Sequence, residues 1–207
     1  MEDISLSRKE RERIFRKKEI MDAAIRVFAE KGFNSCTLEE IAGTAEFGKG
    51  TLYNYFQGKE EIYRAIINDV IVNQEKIIKE ADNSSKTFIE FVELCTSELF
   101  NYCVKNKNAF LIFVREVARL DRDYRNVNYE ELFQSLSVIR KIFVKRVEVG
   151  IKAREIRNFN PEKVMLLYKH LVFPHLHHIL FCSPAEINVE DEINFILSVL
   201  FDGIKSK

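Results

Sequence analysis

The chain has 207 residues, 46% of them hydrophobic and 31% charged, and its 32 basic and 32 acidic side chains cancel to a formal net charge of zero. That balance excludes a partner held by bulk positive charge alone, and no apolar run reaches the roughly 18 residues of a membrane-spanning helix. No membrane partner is expected, and the opening stretch MEDISLSRKERERIF lacks the apolar core of a secretory signal, so a cytoplasmic protein is expected.

Only 7 glycines and 3 prolines interrupt the chain, which points to a mostly helical fold. The four cysteines, Cys36, Cys95, Cys103 and Cys182, form no C-x-x-C pair and are read as buried thiols. Residues 8–19, RKERERIFRKKE, carry seven basic and three acidic side chains, 7 − 3 = 4 in excess. This fits either a solvated, salt-bridged helix start or an arm along phosphates. The first helix is predicted from about Arg11 to Lys31, with Ile20, Ala24, Val27 and Phe28 at helical spacing and Gly32 as its stop. Thr37-Leu38-Glu39-Glu40 is a capping box, and Leu38, Ile41, Ala42 and Ala45 then form one apolar face. Glu46-Phe47-Gly48 breaks this second helix, and a third runs from about Lys49 to Phe56. Leu52 and Phe56 turn inward, while Lys49, Gly50, Thr51, Tyr53, Asn54 and Tyr55 cover the outside. Gly58 ends the third helix and Lys59 opens a long one to about Asp82. Two short helices joined by a tight turn and braced by a longer one make a helix-turn-helix.

Further helices are predicted over 85–105, 107–120, 128–156, 161–182 and 188–205, with breaks at 83–85, Lys105-Asn106, 121–128, 158–161 and Ser183-Pro184. Pro161 suits a first helical turn. The expectation is an all-α chain of about nine helices: a three-helix helix-turn-helix domain over 1–60 and a larger helical domain over 61–207. The last two helices carry broad apolar stripes, Val164, Leu167, Tyr168, Leu171, Val172 and Ile179 on one and Ile193, Ile196, Leu197, Leu200, Phe201 and Ile204 on the other. Such stripes serve either an intramolecular core or a two-fold face made of two helices from each subunit. The residues expected at that face are Leu171, His175, His178, Ile193, Leu197, Leu200, Phe201 and Ile204.

Residues 20–63 resemble the tetracycline-repressor (TetR) family of bacterial transcription regulators. The family pattern reads A-x-x-x-F-x-x-x-G-[FY], then T-[TVL]-x-x-I-A, then A-G-V-S-x-G-[TL]-[LFI]-Y-x-[HY]-F-x-[NS]-K-[ED]-x-L. Ala24, Phe28, Gly32, Phe33, Thr37, Ile41, Ala42, Ala45, Gly50, Leu52, Tyr53, Tyr55, Phe56 and Lys59 match it. Within the reading segment, Glu46 replaces the turn glycine, Phe47 the valine, Gly48 the N-cap serine, and Gly58 an Asn or Ser. Residues 149–164, VGIKAREIRNFNPEKV, are similar to a frequent G-x-x-x-G-E-I-R-x-x-x-x-P-E segment, with departures at Ala153 and Arg154. The resemblance implies a homodimeric repressor on a pseudo-palindromic double-stranded DNA operator, released by a small molecule in the C-terminal domain. A DNA-binding regulator without such a ligand stays open.

Lys49 to Gly58 contains no carboxylate, as a helix pressed against a polyanion requires. Lys49, Thr51 and Asn54 are expected to read bases. Gly50 allows close approach, Tyr53 and Tyr55 donate to phosphates, and Thr37 and Lys59 clamp phosphates on either side. For the effector, the aromatics Phe110, Phe113 and Phe173 with Arg115, Glu116 and Tyr168 as polar anchors suggest an apolar or aromatic ligand. His170, Pro174, His177 and His178 share a helical face, but Pro174 bends or breaks that helix, and neither a metal nor any cofactor is assigned. No G-x-S-x-G, H-E-x-x-H or phosphate loop occurs, so no enzyme is expected.

Overall fold

A computed structural model describes residues 7–120, 130–183 and 188–204, and among these all the regular structure is helical, in nine helices. α1 (Arg8–Lys31) starts earlier than its apolar stripe, because Ser7 and Glu10 form a capping box that nucleates the basic run. Its C-terminus closes on Gly32, whose φ of 78° suits a residue without a side chain. α2 (Leu38–Thr44) is capped by Thr37 and Glu40 as its sequence demands. α3 (Lys49–Tyr53) is shorter than expected. Gly48 offers no side-chain cap, and beyond Tyr53 the chain tightens, Asn54 N–H donating to the Thr51 carbonyl and Tyr55 N–H to that of Leu52.

α4 (Lys59–Ser84) runs unbroken past the expected domain boundary. α5 (Phe88–Lys105) begins at Thr87, which forms a capping box with Glu90. Ser85 instead finishes α4, its hydroxyl donating to the Ala81 carbonyl at 2.7 Å. α6 (Lys107–Leu120), α7 (Glu130–Lys152), α8 (Pro161–Phe181) and α9 (Val189–Ile204) complete the order. The expected breaks at 121–128 and Pro184 fall outside the described residues. α8 is not broken at Pro174; it continues through it to Phe181. The core is continuous: α1 packs on α2, α4 and α6, α4 also on α5 and α7, and α5 on α9.

α7 ends four residues before its expected limit. Arg154 takes φ 61°, Glu155 N–H returns to the Gly150 carbonyl at 2.9 Å, and Arg154 N–H to that of Ile151 at 3.1 Å. This is a Schellman motif with arginine in the left-handed position. α2 ends in the same way. Glu46 has φ 59°, Phe47 N–H reaches the Ala42 carbonyl at 2.9 Å, and Glu46 N–H that of Gly43 at 3.2 Å. Glu46 and Arg154 both stand where the family pattern has glycine. A side chain at Gly150 would lie 2.7 Å from Phe88 Cβ, so this glycine allows α7 to approach the start of α5. Glu155 then caps that helix, accepting from Phe88 N–H at 2.8 Å and Ile89 N–H at 3.3 Å.

Two expected dimer-face residues prove internal. Leu200 and Ile204 are buried with Ile196, because every fourth residue of α9 turns toward the chain's own core. Ile193, Leu197, Phe201 and Leu171 are half-buried along its edge. On α8 and α9 the large apolar side chains left exposed are Leu166 and Leu167 on the first and Phe195 and Val199 on the second.

Candidate nucleic-acid interface

The two short helices are fixed to the scaffold by their apolar faces. Leu38, Ile41 and Ala42 of α2, Leu52 of α3 and Phe56 are all buried in the core cluster. Arg16 of α1 lies over the Phe47 ring at 5.4 Å and Lys17 over Phe56 at 5.2 Å. The enlarged Phe47 is thus held by a cation as well as by packing. This anchoring leaves Lys49, Gly50, Thr51, Tyr53 and Asn54 exposed together, with Tyr55 half-buried at the edge. Tyr53 is 51% exposed. A Cβ at Gly50 would meet no protein atom within 4 Å, so nothing inside the chain demands a glycine there and its open side faces outward.

Thr37 is exposed and its hydroxyl accepts from Glu40 N–H at 3.2 Å. Lys59 does not project outward. Its ammonium donates to the carbonyls of Phe33 at 3.0 Å, Asn34 at 3.4 Å and Cys36 at 3.0 Å, and sits 4.9 Å from the Phe33 ring. An ammonium has three donors, and all three are engaged. The geometry therefore gives Lys59 a scaffold role, tying the α1–α2 turn to the start of α4, in place of the expected phosphate clamp.

Segment 49–58 has no acid of its own, yet the fold supplies one. Glu39, in the first turn of α2, pairs with the Lys49 ammonium at the first turn of α3. Each lies on the exposed face, Lys49 at 51% and Glu39 at 57% side-chain exposure. The bond to Lys49 holds the Glu39 carboxyl below its ordinary range, and the bond to Glu39 raises Lys49. The neighbouring Glu40 is committed inward, accepting from Thr37 N–H at 2.8 Å and Lys31 at 2.7 Å. Sequence reasoning passed over Glu39; the signal available was an acid and a base at the first turns of the two helix-turn-helix helices.

In the C-terminal half, Phe110, Phe113 and Phe173 come together with ring centroids 6.1–6.4 Å apart. Glu116 is buried one turn along α6 from Phe113. Arg115 is exposed, because it points away from that face, and it is no anchor there. Tyr168 joins a second ring cluster, 4.8 Å from Phe143, and its hydroxyl lies 3.1 Å from that of Thr96. The histidines diverge: His175 bonds Glu192 at 2.6 Å, His177 packs on Phe181, and His170 and His178 are exposed.

Residues 20–66 match the family described as bacterial regulatory proteins, tetR family. The chain is 30% identical over 165 residues to YhgD, an uncharacterized HTH-type transcriptional regulator of Bacillus subtilis, covering 77% of this chain and 84% of that one. Its fold matches FadR of Bacillus subtilis, a transcriptional regulator solved in complex with stearoyl-CoA, with a TM-score of 0.71 at 21% identity over 90% of this chain and 98% of that one. It also matches AibR, solved with isovaleryl coenzyme A and operator DNA, with a TM-score of 0.69 at 17% identity over 90% and 98%.

Proposed function

The chain belongs to the tetR family of bacterial regulatory proteins, and from that premise we propose a homodimeric, cytoplasmic repressor that leaves its operator when an acyl-coenzyme A binds its C-terminal helices. The carrying observation is the exposed row from Lys49 to Asn54 on an α3 whose apolar side is locked into the core. A helix so mounted places its N-terminal side chains on base edges in the major groove. Lys49, Thr51 and Asn54 read bases, while Thr37, Tyr53 and Tyr55 hold phosphates and Gly50 permits close approach. Residues 1–60 form the DNA-binding unit and 61–207 the effector and dimer unit.

Leu166, Leu167, Phe195 and Val199 supply the two-fold face, bordered by Leu171, His175, His178, Ile193, Leu197 and Phe201. The aromatic trio Phe110, Phe113 and Phe173 is suited to an apolar chain. The acyl-CoA complexes of FadR and AibR support the thioester class. The test is selection of genomic fragments by the purified protein at two salt concentrations, followed by addition of isovaleryl-CoA or stearoyl-CoA. One palindromic sequence surviving the higher salt and released by an acyl-CoA is the expected result. Binding only at low salt without a shared sequence would overturn the regulator; a selected sequence that neither thioester releases would overturn the effector class.

A further inference from the structure

We propose that Glu39 is a base-reading residue, which together with Lys49 selects a G·C pair in each half-site. The inference rests on the reading of α3 as the recognition helix. A carboxylate on a surface that meets phosphates is repelled by every one of them, so its position needs a compensating contact. Stability is a poor reason for it, because an ion pair this exposed adds little. Capping does not require it either, since Thr37 and Glu40 already form the capping box of α2 and Glu39 adds only a bond to its own backbone N–H.

The chemistry of the groove supplies the contact. Lys49 is the first residue of α3, where a recognition helix meets base edges, and its bond to Glu39 brings the carboxylate to the same place. The major-groove edge of G·C shows two acceptors, guanine O6 and N7, beside one donor, the cytosine N4 amino group. A lysine only donates and a carboxylate only accepts, so the side-by-side pair is the complement of that edge. On A·T the adenine N6 amino group lies between two acceptors, N7 and thymine O4, so a lysine on one leaves the carboxylate facing the other, whereas on G·C the only acceptor beside the cytosine amino group is guanine O6, which the lysine takes. Lys49 alone would favour guanine without fixing which strand carries it; Glu39 fixes the cytosine side.

The experiment is selection from a randomised duplex pool by the full-length wild type, Glu39→Ala and Glu39→Gln, with circular dichroism confirming that each variant is folded. The wild type is expected to enrich G·C at one symmetric position of each half-site. Glu39→Ala should lose that preference by about ten- to a hundredfold at that position alone, while its binding to unselected DNA strengthens. Glu39→Gln, with an amide suited to adenine, should shift the same position toward A·T. If both variants keep the wild-type preference at every position, or weaken every position alike, Glu39 reads no base and the proposal is overturned. A wild type that enriches no sequence overturns the regulator reading itself, a failure visible before either variant is compared.

Discussion

The Glu155 carboxylate accepts a hydrogen bond from the Phe88 backbone N–H at 2.8 Å, joining the end of α7 to the start of α5 across 67 residues of chain. Ile89 N–H shares the same oxygen at 3.3 Å. A charged acceptor on free N–H groups at a helix start is favourable through both hydrogen bonding and the helix dipole. Replacing Glu155 with Ala is expected to cost about 1–2 kcal/mol. Thermal unfolding should then shift down by about 2–4 °C per kcal/mol. An unchanged midpoint would mean that water replaces the carboxylate without loss.

Glu46 and Arg154 take left-handed φ values of 59° and 61°. A side chain in that region costs about 1–2 kcal/mol, part of which glycine returns by gaining freedom in the unfolded chain. Glu46→Gly and Arg154→Gly are each expected to raise stability by roughly 0.5–1 kcal/mol. Denaturant midpoints measure it, and a fall in either would show that the side chain makes contacts worth more than the strain.

Lys59 separates scaffold from phosphate contact. Losing three carbonyl bonds to one ammonium should cost about 1.5–3 kcal/mol of folding stability in Lys59→Met. The slope of log affinity against log salt should stay as in the wild type. A slope reduced by about one unit would restore Lys59 as a phosphate contact.

The two sides of α9 should respond oppositely to a charge. Phe195 is 55% exposed and Leu200 1%. Phe195→Asp is expected to yield a folded monomer by light scattering, since it spoils only the outer face. Leu200→Asp should fail to fold, an uncompensated charge in a core being far more costly than an exposed one. A dimeric Phe195→Asp would move the two-fold face elsewhere.

Much of this architecture was legible. Thr37 with Glu40 and Pro161 after Asn160 carry their own local rules, and the helices they open start where those rules put them. The expected start at 85 is displaced, because Thr87 has Glu90 three residues on and so caps α5 in place of Ser85. What could not be read were choices of direction. α9 is apolar at Ile193, Ile196, Leu197, Leu200, Phe201 and Ile204, and a stripe that wide does not say which half turns inward. Lys59 likewise depends on carbonyls in a distant segment, those of Phe33, Asn34 and Cys36. In the candidate site the exposed row was visible in the sequence, whereas the Glu39–Lys49 contact joins two helices and needs their packing angle.

The unbroken α4 has a mechanical consequence. Its 26 residues form a rod about 39 Å long. Its first residue, Lys59, grips the turn beneath α2, and near its other end Arg146 of α7 holds Asp82 and the Ser85 carbonyl. A pivot of 5° at the far end would sweep the near end by about 3.4 Å, as the rod length dictates. That stroke exceeds the few tenths of an ångström over which a hydrogen bond to a base stays in range. In the proposed regulator, leverage of this kind would carry a slight repacking among buried rings to the groove without any helix having to unwind.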